Sequence, residues 1–315
     1  MPTYLIVITC LVACYVAMIV SATIAVFMVT MYRSPRKPRT RECTNMKDAE
    51  QVQMFSEGIQ WANNFSDMID KLELTVDELS LYGEYVNFGY SKCAVILQGR
   101  TESLTYSYYF ADVYSKHEYN ILVIDVRAHG LSDGRYHTSG VTESEDLVEW
   151  IKLIHDQYGI DEFLLHGVCV GGAIALYANS KCADQGIHLI KAIVTDGLFI
   201  TNYEIYSKYY HMFAQPAFPA LVLTFYLALL LAKANLFKNT PIRYVTGVNI
   251  PILFMWSVKD IFCKVPKDHE LFESCSSKVK KMHLFPRGRH SHVRSSQPVE
   301  YDSVISEFLV QEVMD

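Results

Sequence analysis

The hydrophobic pattern divides the chain into four stretches of different character. From Met1 to Tyr32 there is no charged side chain, and Leu5 to Met31 is almost continuously apolar. A bilayer core accepts about 20 apolar residues as a helix, so residues 1–32 read as a transmembrane anchor, with a buried core helix as the bland alternative. A cleaved signal peptide would carry a positive leader and a shorter apolar core. Residues 33–47, with Pro35, Pro38 and the run Arg33, Arg36, Lys37, Arg39 and Arg41, read as a basic linker. Residues 48–72 place Val52, Phe55, Ile59, Ala62, Phe65 and Leu72 at roughly helical spacing, which predicts a lead-in helix packed on the rest of the chain. Residues 73–90 then alternate in the manner of strands, with Gly83 and Gly89 as breaks.

From Ala94 the pattern changes again. Ala94–Leu97, Ile121–Asp125, Phe163–Leu165, Ile190–Thr195 and Pro251–Trp256 are short apolar runs without alternation, separated by helical stretches. Strands covered on both faces look like this, so residues 73–315 are expected to form an α/β domain around a mostly parallel sheet. The clearest helix starts at Thr142, where Thr142 and Glu145 suit a capping box, and continues with Leu147, Trp150, Ile151 and Ile154 on one face. Residues 200–247 interrupt the alternation. Within them Phe218–Ala232 is very apolar but short for a span, and three readings stay open: a cap over the site, an ordinary core helix, or a second span or membrane-dipping helix.

Composition sharpens this picture at a few points. Half of the 315 residues are apolar, which suffices for a large core, and the net charge of -6 argues against nucleic acid as a partner. The positive charges near the anchor all lie after it, so the positive-inside rule places the domain in the cytosol, with Tyr4 and Tyr32 as interfacial aromatics. Eight cysteines without paired spacing suit a reducing compartment, and no Cys/His metal pattern appears. The sequon Asn64-Phe65-Ser66 would go unused there.

The chemistry concentrates at Gly167-Val168-Cys169-Val170-Gly171, between an apolar strand and a helix rich in small residues. Such a turn lifts one side chain above the sheet, and glycines beside it remove Cβ atoms that would clash. The helix N-terminus there favours thiolate over thiol. Asp260 comes after the run ending at Trp256, and His290 after the run ending at Phe285, in the order nucleophile, acid, histidine. In that set Asp260 would orient His290, and His290 would deprotonate Cys169. His292 competes as the base, and a solvated loop carboxylate is the bland reading of Asp260. Two backbone N–H groups, of Val170 and of Arg100, would form the oxyanion hole.

The segment Asp125-Val126-Arg127-Ala128-His129-Gly130-Leu131-Ser132 resembles the D-x-R-G/A-H-G-x-S stretch common in the α/β-hydrolase superfamily. It is most similar to the serine aminopeptidase S33, lysophospholipase and monoglyceride-lipase-like branch. Gly99-Arg100-Thr101-Glu102-Ser103 is similar to the oxyanion loop of bacterial lysophospholipases. The resemblance covers about residues 75–312 and implies an α/β-hydrolase fold with a helical cap at 200–247. It departs at three places: Cys169 replaces the usual serine, Gln98-Gly99 replaces His-Gly, and Trp256-Ser257 stands where a glycine usually ends the strand.

Two functions arise as expectations. One is a membrane-anchored hydrolase of carboxylic esters or thioesters, with a small lipid-like acyl substrate taken near the lipid bilayer, and needing no metal or cofactor. The other is a silent homologue that reuses the pocket as a tethered binding or scaffold protein. Acyl transfer to an alcohol is a third outcome of the same chemistry.

Overall fold

A computed structural model describes residues 2–33 and 40–313. Arg36, Lys37 and Arg39 of the basic linker lie outside the described residues, as do Pro35 and Pro38.

Eight strands form one sheet: β1 (Ile69–Val76), β2 (Leu79–Val86), β3 (Lys92–Leu97), β4 (Tyr119–Ile124), β5 (Glu162–Val168), β6 (Ile190–Asp196), β7 (Ile252–Ser257) and β8 (Lys280–Phe285). Their order across the sheet is β1-β2-β4-β3-β5-β6-β7-β8. β1 and β2 are antiparallel to each other, β2 is antiparallel to β4, and every later pairing is parallel. The unalternating apolar runs become the central strands because helices cover both faces; all six residues of β4 and of β7 are buried.

Three details differ from the sequence reading. The lead-in helix is Ala49–Asn64, capped by Asp48, and Leu72 already belongs to β1. The turn between the first two strands is Asp77-Glu78, with φ of 50° and 66°, because a tight hairpin needs left-handed backbone at both central positions. Gly83 therefore breaks nothing. It lies inside β2, where a Cβ would sit 3.0 Å from the Trp150 ring. The capping box at Thr142 does not form either. The helix Glu143–Tyr158 has no side-chain cap; the Thr142 hydroxyl meets Thr138 at 2.8 Å, and Glu145 pairs with Lys181. Glu143 organises that corner instead, accepting from the Thr138 and Gly140 amides at 2.7 and 2.9 Å. Burial opposes its charge, but His137 and Thr138 hold its pKa down to about 2.

The apolar N-terminal stretch is one helix, Thr3–Thr30, with Thr3–Met18 exposed and Ile19, Ala22, Thr23, Val26, Phe27 and Thr30 buried. Its buried side meets the second helix of the 200–247 insertion, Ala220–Leu231: the Thr23 hydroxyl donates to the Ala220 carbonyl at 3.3 Å. Beyond the helix the chain enters the domain. Tyr32 bridges to Tyr136, His137 N donates to Met31 O at 2.8 Å, and Arg33 N donates to Arg135 O at 2.8 Å. The Tyr32 ring packs against that of Tyr136, with centroids 5.8 Å apart. The described basic residues of the linker are also engaged: Arg33 donates to the Gly130 carbonyl, and Arg41 pairs with Asp125 and Glu84.

Candidate active site

Cys169 occupies the turn between β5 and the helix Val170–Asp184, with φ of 52° and ψ of -109°. A non-glycine residue holds such a conformation only where its surroundings leave no alternative. Here the Cys169 amide donates to the Asp196 carbonyl at 2.7 Å, tying the turn to β6. The flanking glycines are required sterically. A Cβ on Gly167 would lie 2.2 Å from the backbone of Gly171 and Gly172, and one on Gly171 would lie 2.3 Å from the Leu97 carbonyl oxygen. Cys169 is only 6 % exposed, and it opens into a cavity of about 310 Å³ whose wall also includes Arg100, Tyr209, Phe262 and His290.

His290 and Asp260 arrive from the ends of β8 and β7. His290 Nδ1 donates to Asp260 Oδ2 at 2.6 Å, while Asp260 Oδ1 accepts from the Phe262 and Cys263 amides at 2.7 and 2.9 Å. The carboxylate is thereby fixed on both oxygens. The opposite ring nitrogen, His290 Nε2, is buried and has no hydrogen-bond partner among the described residues. Burial disfavours the imidazolium, but the Cys169 sulfur, Asp260 and Cys263 outweigh it and push the His290 pKa well above its usual value. Cys169 and His290 line one cavity, and Asp260 holds the other nitrogen of the ring. Ser257 adds a clamp there, donating to the Gly288 carbonyl at 2.6 Å and joining the acid loop to the histidine loop.

His292 is turned to another task. Its Nδ1 lies 2.7 Å from the His290 carbonyl and its Nε2 lies 3.2 Å from Gln51 Nε2, and the Asp260 carboxylate is bonded to His290 instead.

The amides of Val170 and Arg100 make no hydrogen bond among the described residues. The Arg100 side chain is held by its neighbours: Nε donates to the Tyr209 hydroxyl at 3.1 Å and Nη1 to the Val29 carbonyl at 3.2 Å, at the end of the N-terminal helix. Its guanidinium also lies over the Tyr209 ring at 4.8 Å. The Arg100 carbonyl accepts from His129 Nε2, so the histidine of the D-x-R-A-H-G-x-S stretch steadies this loop. Asp125 of the same stretch accepts from the Leu104 and Leu131 amides at 2.8 and 3.0 Å. Gly130 is required beside it, since a Cβ there would fall 2.1 Å from that carboxylate.

Two further residues shape the site, Glu102 within the Gly99–Ser103 loop and Gln51 outside every sequence motif. Glu102 accepts from the Gly99 amide at 3.1 Å and from Gln51 Nε2 at 3.1 Å, so the lead-in helix reaches into the site through Gln51. An acid three residues after Gly99 is a local turn signal that could have been read; Gln51 carries no such signal, because its partners lie far away in sequence. Behind the elbow, Tyr301 donates to Asp196 at 3.0 Å and lies 3.2 Å from His166 Nε2. Burial pushes the Asp196 pKa up to about 7 and the His166 pKa down to about 3. As for metals, ligand atoms of Asp260, Cys263 and His290 lie within 4.8 Å of one another, and so do those of Asp48, Glu50 and His292. Among the described residues the first group is already committed to the Asp260–His290 bond.

A family profile described as alpha/beta hydrolase fold matches residues 95–237. The chain is 24 % identical over 221 residues to the uncharacterized protein YqkD of Bacillus subtilis, covering 69 % of each chain. It is 23 % identical over 199 residues to protein bem46 of Schizosaccharomyces pombe, covering 63 % of this chain and 60 % of that one. Among solved structures, the Pyrococcus furiosus esterase Pf2001 superposes with a TM-score of 0.66 at 23 % identity, over 80 % of this chain and 94 % of that one. The α/β hydrolase GrgF of Penicillium gives a TM-score of 0.61 at 16 % identity, over 78 % and 99 %. The strand order, the elbow at Cys169 and these likenesses agree: the chain has the alpha/beta hydrolase fold.

Proposed function

We propose that the protein is a membrane-anchored hydrolase of carboxylic esters or thioesters with lipid-like acyl groups, acting through Cys169, His290 and Asp260. One observation carries this reading: His290 is fixed to Asp260 at 2.6 Å while its other nitrogen, buried and unpartnered among the described residues, faces the cavity that holds Cys169. His290 Nε2 takes the Cys169 proton, and the sulfur attacks the substrate carbonyl carbon. The oxyanion that forms is met by the amides of Val170 and Arg100. Collapse breaks the bond to the leaving alcohol or thiol, which receives the proton from His290. Water, deprotonated by His290, then cleaves the acyl-Cys169 thioester and restores the thiol. The raised pKa of His290 suits its imidazole to hold the proton it takes from Cys169.

The substrate class rests on location and on the resemblance to lysophospholipases and monoglyceride lipases: a monoacylglycerol, a lysophospholipid or an acyl-thioester. Anchoring is supported by the helix Thr3–Thr30, which is long, uncharged and mostly exposed, unlike a core helix. Its last turns are packed into the fold through Phe27, Thr30 and Met31, so removal as a signal sequence would strip apolar residues from the core. A cytosolic domain agrees with the basic residues that come after the helix. Asn64 is exposed and reports on this point: a mass shift on glycosidase treatment of the expressed chain would place the domain in the lumen instead.

The enzymatic reading is tested with the full chain in detergent or nanodiscs, on medium-chain p-nitrophenyl esters and acyl-thioesters. Turnover by the wild type that vanishes in Cys169→Ala supports it. Equal silence of both proteins would leave the binding or scaffold reading.

A further inference from the structure

We infer that the helix Ala220–Leu231 is embedded in one leaflet of a lipid bilayer beside the helix Thr3–Thr30, the two forming a single membrane element. The inference rests on the anchoring reading above and extends it to the 200–247 insertion.

Length gives the first argument. Thr3–Met18 stands clear of the protein, and these 16 residues rise about 24 Å, less than the ~30 Å of a hydrocarbon core. The missing length has to come from the next turns, where Ala22 and Thr23 are already packed and Thr23 meets Ala220. Hydrocarbon that covers the anchor therefore reaches the level of the second helix. The anchor's outward face agrees with this: Val20, Ile24, Met28 and Val29 remain exposed, and Arg33 is the first charge.

The second argument lies in the helix Ala220–Leu231. It has no charged residue, and apart from the Tyr226 hydroxyl only Thr224 is polar. One side, with Leu221, Phe225 and Ala228, is buried. The opposite side exposes Leu223, Tyr226, Leu230 and Leu231, with Leu230 at 74 %. A helix apolar all round belongs in a core or in lipid, and this one has a core on one side only. The Thr224 hydroxyl meets Tyr210 at 2.6 Å and Thr23 O at 3.4 Å, so it is satisfied inside the fold and does not face outward. Exposed Lys233 and Lys238 come soon after the helix, placed to reach headgroups. The exposed face is continuous with the anchor, which makes the bilayer its occupant.

The test uses the full wild-type chain in phosphatidylcholine vesicles whose acyl chains carry a photoactivatable diazirine, with adducts mapped by mass spectrometry. Adducts are expected on the outward face of Thr3–Thr30 and on Leu223, Tyr226 and Leu230. Adducts confined to Leu5–Met18, with none from 218 to 231, would overturn the inference and leave the anchor standing. Absence of adducts from both helices would overturn the anchor, and this inference with it. Chain-to-chain cross-links through Leu230 in place of lipid adducts would show a second copy on that face, which also overturns it.

Discussion

Two buried acid–histidine constellations lie close together along the β5–β8 side of the sheet, and they are built for different ends. At the rim, Asp260 binds His290 directly at 2.6 Å, and the far side of the imidazole opens onto Cys169 and a cavity. Behind the elbow, Tyr301 stands between Asp196 and His166, and all three are fully buried. The first arrangement raises its histidine pKa; the second lowers its histidine to about 3, which keeps that ring neutral, and raises its acid to about 7, so the carboxyl holds its proton until the pH approaches neutrality. On the proposed mechanism, similar residue types give a proton-transfer unit where a carboxylate holds the ring beside Cys169, and a strut where a phenol intervenes.

The sharpest way to break this contrast is at the rim. Cys169→Ala is expected to abolish turnover, by at least ~10³-fold in kcat, with thermal stability nearly unchanged, because no cavity of consequence forms at a site already facing open space. Asp260→Asn should lower kcat/KM by roughly 10³–10⁴-fold, since an amide no longer stabilises the imidazolium and presents the wrong tautomer. A pH–rate profile of this variant should show the His290 transition displaced to lower pH.

The strut should respond in stability instead. The raised carboxyl of Asp196 contributes stability that is complete below about pH 4 and is lost as pH rises toward 7, because the folded form holds a proton that the unfolded form releases. Asp196→Asn should therefore remove a decline of about 2 kcal/mol between pH 5 and pH 7, measured by denaturant titration at several pH values. The depressed His166 works in the opposite direction, its contribution being lost as pH falls from 6.5 toward 3, so this variant should also weaken more steeply in acid than the wild type. The smallest effect is expected for Tyr301→Phe, which leaves two buried polar groups without their shared hydroxyl and costs about 1–3 kcal/mol, with kcat within about threefold of wild type. A large loss of turnover in this last variant would erase the distinction between strut and site.

The contrast also marks what the chain discloses by itself. Central strands, the elbow and the order of Cys169, Asp260 and His290 are legible because a parallel sheet forces apolar runs and delivers its loops at one edge. The choice between His290 and His292 is open in the sequence, since both lie a few residues past β8 and only the geometry selects the ring that reaches Asp260. The strut is not legible: Asp196, His166 and Tyr301 come from three distant segments, and none carries a spacing that announces the others. The same holds for Gln51 and for the seat of the N-terminal helix. Such contacts depend on which surfaces meet after the sheet is assembled. At Thr142 a strong local signal loses to Glu143, whose buried carboxylate satisfies more donors than a capping box would.

The bond between Thr23 and Ala220 joins positions 197 apart in the chain. During synthesis, the segment around Thr23 leaves the ribosome long before the residues that will cover it. At about 5–20 residues per second that wait lasts on the order of ten seconds or more, during which Val26, Phe27 and Met31 need some other shelter. The early helix is therefore a late arrival in the finished fold.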